Sequence, residues 1–149
     1  MPVSVFLRIE SKSCPFSESK IRRAAIQILK VLGKQKVSIS ILLAGDSAIR
    51  KLNHRYLGHD RATDVIAFPG KPPFLGDIVI SLPTTKRQAK EYGNDFFYEL
   101  AFYLCHGILH LMGWDDSTVK SRKKMWEKQS LLLKKIGVRN SKIKDQKSK

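Results

Sequence analysis

The chain has 149 residues, the size of one ordinary domain, and its 42% apolar and 28% charged residues form a globular mixture, which excludes a disordered or fibrous chain. Lys and Arg number 28 against 13 Asp and Glu, a formal net charge of +15. An excess of that size attracts polyanions, nucleic acid first and an anionic membrane surface second.

Read in chain order, Val3 to Ile9 is β-branched and aromatic in the manner of a strand. Pro15 ends it, and Ser17 with Glu18 opens a helix whose apolar residues Ile21, Ala24, Ala25, Ile28, Leu29 and Leu32 recur at helical spacing until Gly33. Val37 to Leu43 reads as a buried strand. Gly45 breaks it, and Asp46 caps a short helix through Ala48, Ile49 and Leu52, followed by a loop from Asn53 to Arg61. Thr63 to Phe68 and Asp77 to Leu82 are two more strands, joined by a turn containing Pro69, Gly70, Pro72 and Pro73. Thr84 then caps a polar helix around Lys86 to Tyr92. Asn94 opens a helix reaching Met112, apolar nearly all round and so the expected buried centre of the fold.

Gly113 ends that helix, and Ser117 opens the last one, with Met125, Leu132 and Ile136 inward and Lys120, Arg122, Lys123, Lys124, Lys128, Lys134 and Lys135 outward. From Val138 to Lys149 the chain is basic and polar with little to bury, so a single domain over residues 1–137 with a disordered basic tail over 138–149 is expected. Strands early and helices late give an α+β fold, a mixed sheet of roughly four strands packed by helices.

The opening MPVSVFLRIE carries no basic region followed by a long apolar run, so no secretory leader is expected. The stretch from Phe96 to Met112 is interrupted by Glu99, His106 and His110 and is too short and polar to span a bilayer. Cys14 and Cys105 show no disulfide spacing and read as reduced thiols. A cytoplasmic protein without a membrane partner is expected.

The chemistry is concentrated in His106-Gly107-Ile108-Leu109-His110-Leu111-Met112-Gly113-Trp114-Asp115-Asp116. Two histidines four apart on a helix project from one face about one turn (~5.4 Å) apart, close enough for both to reach one zinc ion. Gly113 lets the chain double back, which brings Asp116 within reach as an oxygen ligand; Asp115 can approach too. Two nitrogens and one carboxylate leave a fourth position open, the pattern of a catalytic zinc site. A lone histidine on an apolar helix is usually a packed core residue, but two imidazoles beside a carboxylate are costly to bury without a metal.

Metalloproteases of the HExxH kind place a Glu general base after the first histidine; here that slot is Gly107, so a protease is a weak alternative. The missing base and the surrounding positive charge suit an anionic phosphodiester.

Several neighbouring residues carry weaker signals. Glu99 shares the histidine face two turns earlier, either as an imidazole partner or in a helix-end ion pair. Cys105 lies about 100° round the helix from His106 and reads as a small buried residue. Thr63, Asp64 and Asp77 flank strands and read as caps and turn residues. His54 and His59 read as solvated, and Trp114 and Tyr56 either stack on bases or pack in the core.

The HGILHLMGWDD stretch, together with Asn53-His54-Arg55-Tyr56, Thr63-Asp64-Val65-Ile66-Ala67-Phe68 and Leu75-Gly76-Asp77-Ile78-Val79-Ile80-Ser81 in that order, resembles the YbeY-type endoribonucleases, also called rRNA maturation factors. The resemblance is strongest from Asn53 to Met125. It implies a single-domain α+β metalloprotein with one zinc that cleaves single-stranded RNA, matures ribosomal RNA ends and acts in ribosome quality control, with ribosomal RNA and the small ribosomal subunit as partners.

Two positions depart from the family pattern. Asp116 stands where the family usually has a third histidine, and a carboxylate is an acceptable zinc ligand there. Leu57 stands where the family usually has a catalytic Arg; Arg55 and Arg61 flank the gap and are the candidates to replace it. The competing reading is an RNA- or ribosome-binding factor whose metal site is structural or weakly active.

Overall fold

In the computed structural model, which describes residues 3–57 and 65–141, the chain runs β1 (Ser4–Ile9), α1 (Glu18–Val31), β2 (Ser38–Ala44), α2 (Asp46–Leu57), β3 (Val65–Pro69), β4 (Phe74–Ser81), α3 (Leu82–Tyr92), α4 (Phe96–Leu111) and α5 (Val119–Ile136). The strands form one sheet in the order β1-β2-β4-β3. β1 pairs parallel with β2 and β2 with β4, the crossovers passing through α1 and through α2 with β3, while β3 runs antiparallel to β4. The α+β class and the mixed four-stranded sheet expected from the sequence are both present.

Alternation along the strands explains how helices cover both faces of the sheet. Ile39, Ile41, Leu43, Ile78 and Ile80 turn into the main core with α1, α4 and α5. Ala44, Ile66 and Val79 turn the other way, onto Ile49 of α2. The long apolar helix is central as expected: Leu100, Ala101, Leu104, Cys105, Ile108 and Leu109 of α4 are all fully buried. Its approach to the sheet depends on one residue. A Cβ at Gly107 would lie 2.8 Å from Ile78 Cγ2 on β4, so a side chain at this helix position would force the buried Ile78 side chain to shift.

The structure corrects the element bounds in three informative places. α2 continues through Asn53 to Leu57, where a loop was expected from the polar run. α3 is capped by Ser81, whose hydroxyl accepts from the backbone N–H of Thr84, so the expected cap, Thr84, lies inside the helix. α4 starts after Asp95, not at Asn94. On α5, Met125 and Leu132 face inward as expected and Gln129 and Leu133 join them, whereas Ile136 is half-buried.

The segment expected to leave the domain at Val138 is still held at Ser141. The Val138 N–H donates to Leu133 O, and Asn140 is buried between Asn94 and the Asp95 N–H. Ser141 bonds to the Asp95 carboxylate through its backbone N–H and its hydroxyl.

Candidate metal centre

α4 places the two imidazoles, and the turn that ends it places the acid. Gly113 sits in the left-handed region at φ 93°, its N–H donating to His110 O while Trp114 N–H reaches back to Leu109 O. This is the glycine-closed helix end, in which the two bonds satisfy carbonyls of the last turn and the chain reverses. The reversal carries Asp116 back over the histidines. His106 Nε2 and His110 Nε2 lie 3.1 Å apart, and Asp116 Oδ2 lies 3.3 Å from the first and 3.4 Å from the second. Ligands arranged tetrahedrally at about 2.0–2.1 Å from one ion are separated by about 3.3 Å, so the three donor atoms mark one face of such a tetrahedron. His106, His110 and Asp116 are all partly exposed and form a group that could hold a metal ion.

The two adjacent acids divide their work. Asp115 accepts from the Ser117 N–H (3.1 Å) and hydroxyl (2.7 Å), and these bonds hold its carboxyl below the ordinary range. That pair closes the turn and leaves Asp116 for the histidines. Arg122 of α5 donates to the Asp116 carbonyl (3.4 Å), tying the turn to the last helix.

A buried amide, not noticed in the sequence, orients the first imidazole. Gln129 of α5 is 1% exposed, and its Nε2 donates to Phe102 O at 2.9 Å. A carbonyl can only accept, so the amide is fixed with Oε1 toward His106 Nδ1, 3.0 Å away. His106 must then carry its proton on Nδ1, which leaves the Nε2 lone pair pointing at the shared focus. The signal for Gln129 in the sequence is faint: a polar residue four positions after Met125 on the inward stripe of α5.

The other candidates fall outside the focus. Glu99 is buried and reaches Asn94 and Tyr103, neither an imidazole nor a cation. Cys105 is enclosed in the core, and burial pushes its thiol well up. Asp77 and His54 are exposed, and Trp114 packs against the core. Arg55 lies on the last turn of α2, but its side chain and that of Tyr56 are outside the described residues; so are Arg61, His59, Thr63 and Asp64 altogether.

A small α+β domain with a helix pinned to the sheet at a glycine, and two nitrogens and one oxygen converging at that helix's end, defines a class of proteins built round one metal-capable site. The comparisons with known proteins give the family. The model of the family Endoribonuclease YbeY matches residues 6–137. An Endoribonuclease YbeY from Anaeromyxobacter sp. is 41% identical over 124 residues, 80% of this chain and 65% of the relative, so the match spans just under two thirds of that longer protein. One from Moorella thermoacetica is 38% identical over 135 residues, 81% of this chain and 85% of the relative. The solution structure of TM1509 from Thermotoga maritima superposes with a TM-score of 0.65 at 28% identity, covering 89% of this chain and 88% of that one. The chain belongs to the YbeY family of endoribonucleases.

Proposed function

We propose that this chain is a zinc-dependent endoribonuclease that cuts single-stranded RNA, with ribosomal RNA at the small ribosomal subunit as its substrate in the cytoplasm. The observation that carries the reading is the triangle of His106 Nε2, His110 Nε2 and Asp116 Oδ2, whose edges of 3.1–3.4 Å match three corners of a tetrahedral site. The donor set of two imidazole nitrogens and one carboxylate oxygen suits zinc. The partial exposure of all three leaves room for a substrate oxygen at the fourth corner.

When bound there, zinc supplies a Lewis acid that lowers the pKa of a coordinated water and draws charge from a phosphoryl oxygen. The remaining work belongs to the chain. Gln129 keeps the His106 lone pair on the focus, Asp116 contributes negative charge, and Gly113 sets the distance between helix and acid. Arg55 or Arg61, one each side of Leu57, supplies the cation for charge developing on the phosphate. The basic face of α5, seven Lys and Arg against the single acid Glu127, holds the RNA backbone irrespective of sequence. The free thiols Cys14 and Cys105 agree with a reducing compartment, and among the described residues no helix is long and apolar enough to cross a membrane.

A peptidase is disfavoured on steric grounds. The position where a helix-borne base would stand is Gly107, and any side chain there collides with Ile78. Metal analysis and RNA cleavage measured together on the wild type, His110→Ala and Asp116→Ala test the reading. The wild type should carry about one zinc per chain, and both variants should lose metal and cleavage by more than roughly 100-fold, beyond what loss of an outer partner costs. A folded His110→Ala protein that cuts RNA as fast as the wild type would remove it.

A further inference from the structure

Two turns before His106, on the same face of α4, the chain buries a carboxylate beside a cavity. Glu99 is 3% exposed; Oε1 accepts from Asn94 Nδ2 at 2.7 Å and Oε2 from the Tyr103 hydroxyl at 2.7 Å. The same hydroxyl also touches Gln88 Oε1. Among the described residues no Lys, Arg or His comes within ion-pair distance of Glu99. A carboxylate offers about four acceptor sites, so two neutral donors leave about half of them unanswered in a place where water is scarce.

The adjoining cavity, about 400 Å³ in volume, lies between the end of α3, the face of α4 and the middle of α5. Its walls are aromatic: Tyr98 and Phe102 lie near parallel with centroids 6.2 Å apart, and Trp126 meets Phe102 edge-on at 5.4 Å. Tyr92 and Trp126 are 58% and 59% exposed, so two large rings face both cavity and solvent. His106 and Gln129 also line the cavity, which therefore adjoins the metal centre.

Flat apolar walls with an acceptor pair beside them fit a planar ligand bearing two adjacent N–H donors. Among the RNA bases only guanine presents that edge, through its ring N1–H and exocyclic amino group; the others place an acceptor next to each donor. We propose that this cavity is a subsite for an unpaired guanine of the RNA strand, stacked on the aromatic rings and hydrogen-bonded to Glu99. Seven residues of helix separate Glu99 from His106, about 10 Å, a distance adjacent nucleotides can bridge. The guanine assignment rests on the RNA-cleaving reading of the metal centre.

The test uses the full-length chain and free nucleosides, followed by saturation-transfer NMR on the nucleoside without added metal. Guanosine should bind roughly tenfold more tightly than inosine, which lacks the exocyclic amino group, the expected loss for one hydrogen bond to a charged acceptor. Glu99→Gln should erase that preference. Trp126→Ala, an exposed change that leaves the core intact, should weaken guanosine at least about fivefold through lost stacking and answers the question if Glu99→Gln does not fold. Equal binding of guanosine and inosine, or displacement of guanosine by spermidine at equal concentration, overturns the proposal, the latter by revealing a cation site.

With metal-loaded protein, replacing one guanosine of a short RNA by inosine should raise KM roughly tenfold and leave kcat within about twofold. RNA cleavage indifferent to that replacement and to Glu99→Gln removes the subsite and leaves the nuclease reading intact. Selective guanosine binding by a protein that cuts no RNA removes the nuclease reading and leaves a nucleoside site.

Discussion

Asp46 and Asp116 are both partly buried carboxylates gathered with polar side chains at helix ends, and they are satisfied in opposite ways. Asp46 Oδ1 accepts from Ser81 (2.5 Å) and Thr84 (2.7 Å), and Oδ2 from Arg87 (2.8 Å). Every neighbour is a donor, and the cluster ties α2 to the start of α3. Burial pushes the Asp46 carboxyl up, but the bonds from Ser81, Thr84 and Arg87, with the Arg87 charge, outweigh it and hold the group below its ordinary value. Around Asp116 the neighbours are two imidazole nitrogens, and Gln129 has drawn the His106 proton to the far side of its ring. The His106 lone pair and the Asp116 carboxylate oxygen face each other across 3.3 Å, an arrangement that suits a cation between them. One cluster is complete within the protein; the other turns its donor atoms to a common point where an ion could sit.

The change expected to break that contrast most strongly is Gln129→Leu. It removes the acceptor that fixes the His106 tautomer and the second donor to the Phe102 carbonyl. Zinc affinity, read by competition with a chelator, should fall about 10–100-fold, the usual cost of losing a partner behind a ligand. The ¹⁵N signals of the metal-free protein should show that His106 no longer holds its proton on Nδ1 alone. Gln129→Glu keeps the acceptor and should return affinity to within a few-fold of the wild type. A Leu variant with unchanged affinity would show that packing alone aims the imidazole.

Asp46→Asn probes the complete cluster and should be milder. Because folding lowers the Asp46 pKa, the carboxylate's contribution is fully present above the ordinary value of 3.8 and is lost as pH falls through the lower folded value. Thermal melting should therefore show a wild-type stability decline below about pH 4 that the Asn variant shares less. At neutral pH the variant should lose roughly 1–3 kcal/mol of stability, the range for hydrogen bonds to a charged group. Zinc affinity should stay within about twofold. If it collapses with the melting temperature, the two clusters are coupled through α2 and the contrast fails.

What the sequence revealed follows from the range of the interactions involved. The His106–His110 pair, the Gly113 stop and the Asp116 return are local, within eleven residues, and helix geometry alone places them. The apolar circumference of α4 likewise announced a buried helix. Gln129 acts on a histidine 23 residues away; helical spacing puts position 129 on the inward stripe with Met125 and Leu132, but a glutamine there adds nothing to the apolar pattern and no local rule names its partner. The sequence favours Asp116 but lets Asp115 approach as well; the Ser117 bonds that separate the two are a turn detail. The continuation of α2 through Asn53-His54-Arg55-Tyr56-Leu57 was hidden because three polar residues open it and only Tyr56 extends the Ile49–Leu52 spacing. Asn140 looked like part of a solvated tail because its partners, Asn94 and Asp95, are more than 40 residues back along the chain.

The smallest expected effect comes from the charge that touches neither cluster. Residues 142–149 lie outside the described part of the chain and contain four Lys and one Asp, so deleting them lowers the net charge from +15 to +12. Single-stranded RNA should bind about threefold more weakly at low salt, with a log–log salt slope reduced by at most about 3, since each contact to a single strand contributes about 0.7. The melting temperature and zinc content should not move. Deleting residues 138–149 instead also removes Asn140 and Ser141, which bond to Asn94 and Asp95 at the start of α4, and should cost a further 1–3 kcal/mol or so of stability. Comparing the two truncations separates charge from structure. If the shorter deletion leaves RNA affinity and salt slope unchanged, the backbone-binding charge resides on α5 and the end of the chain adds nothing to it.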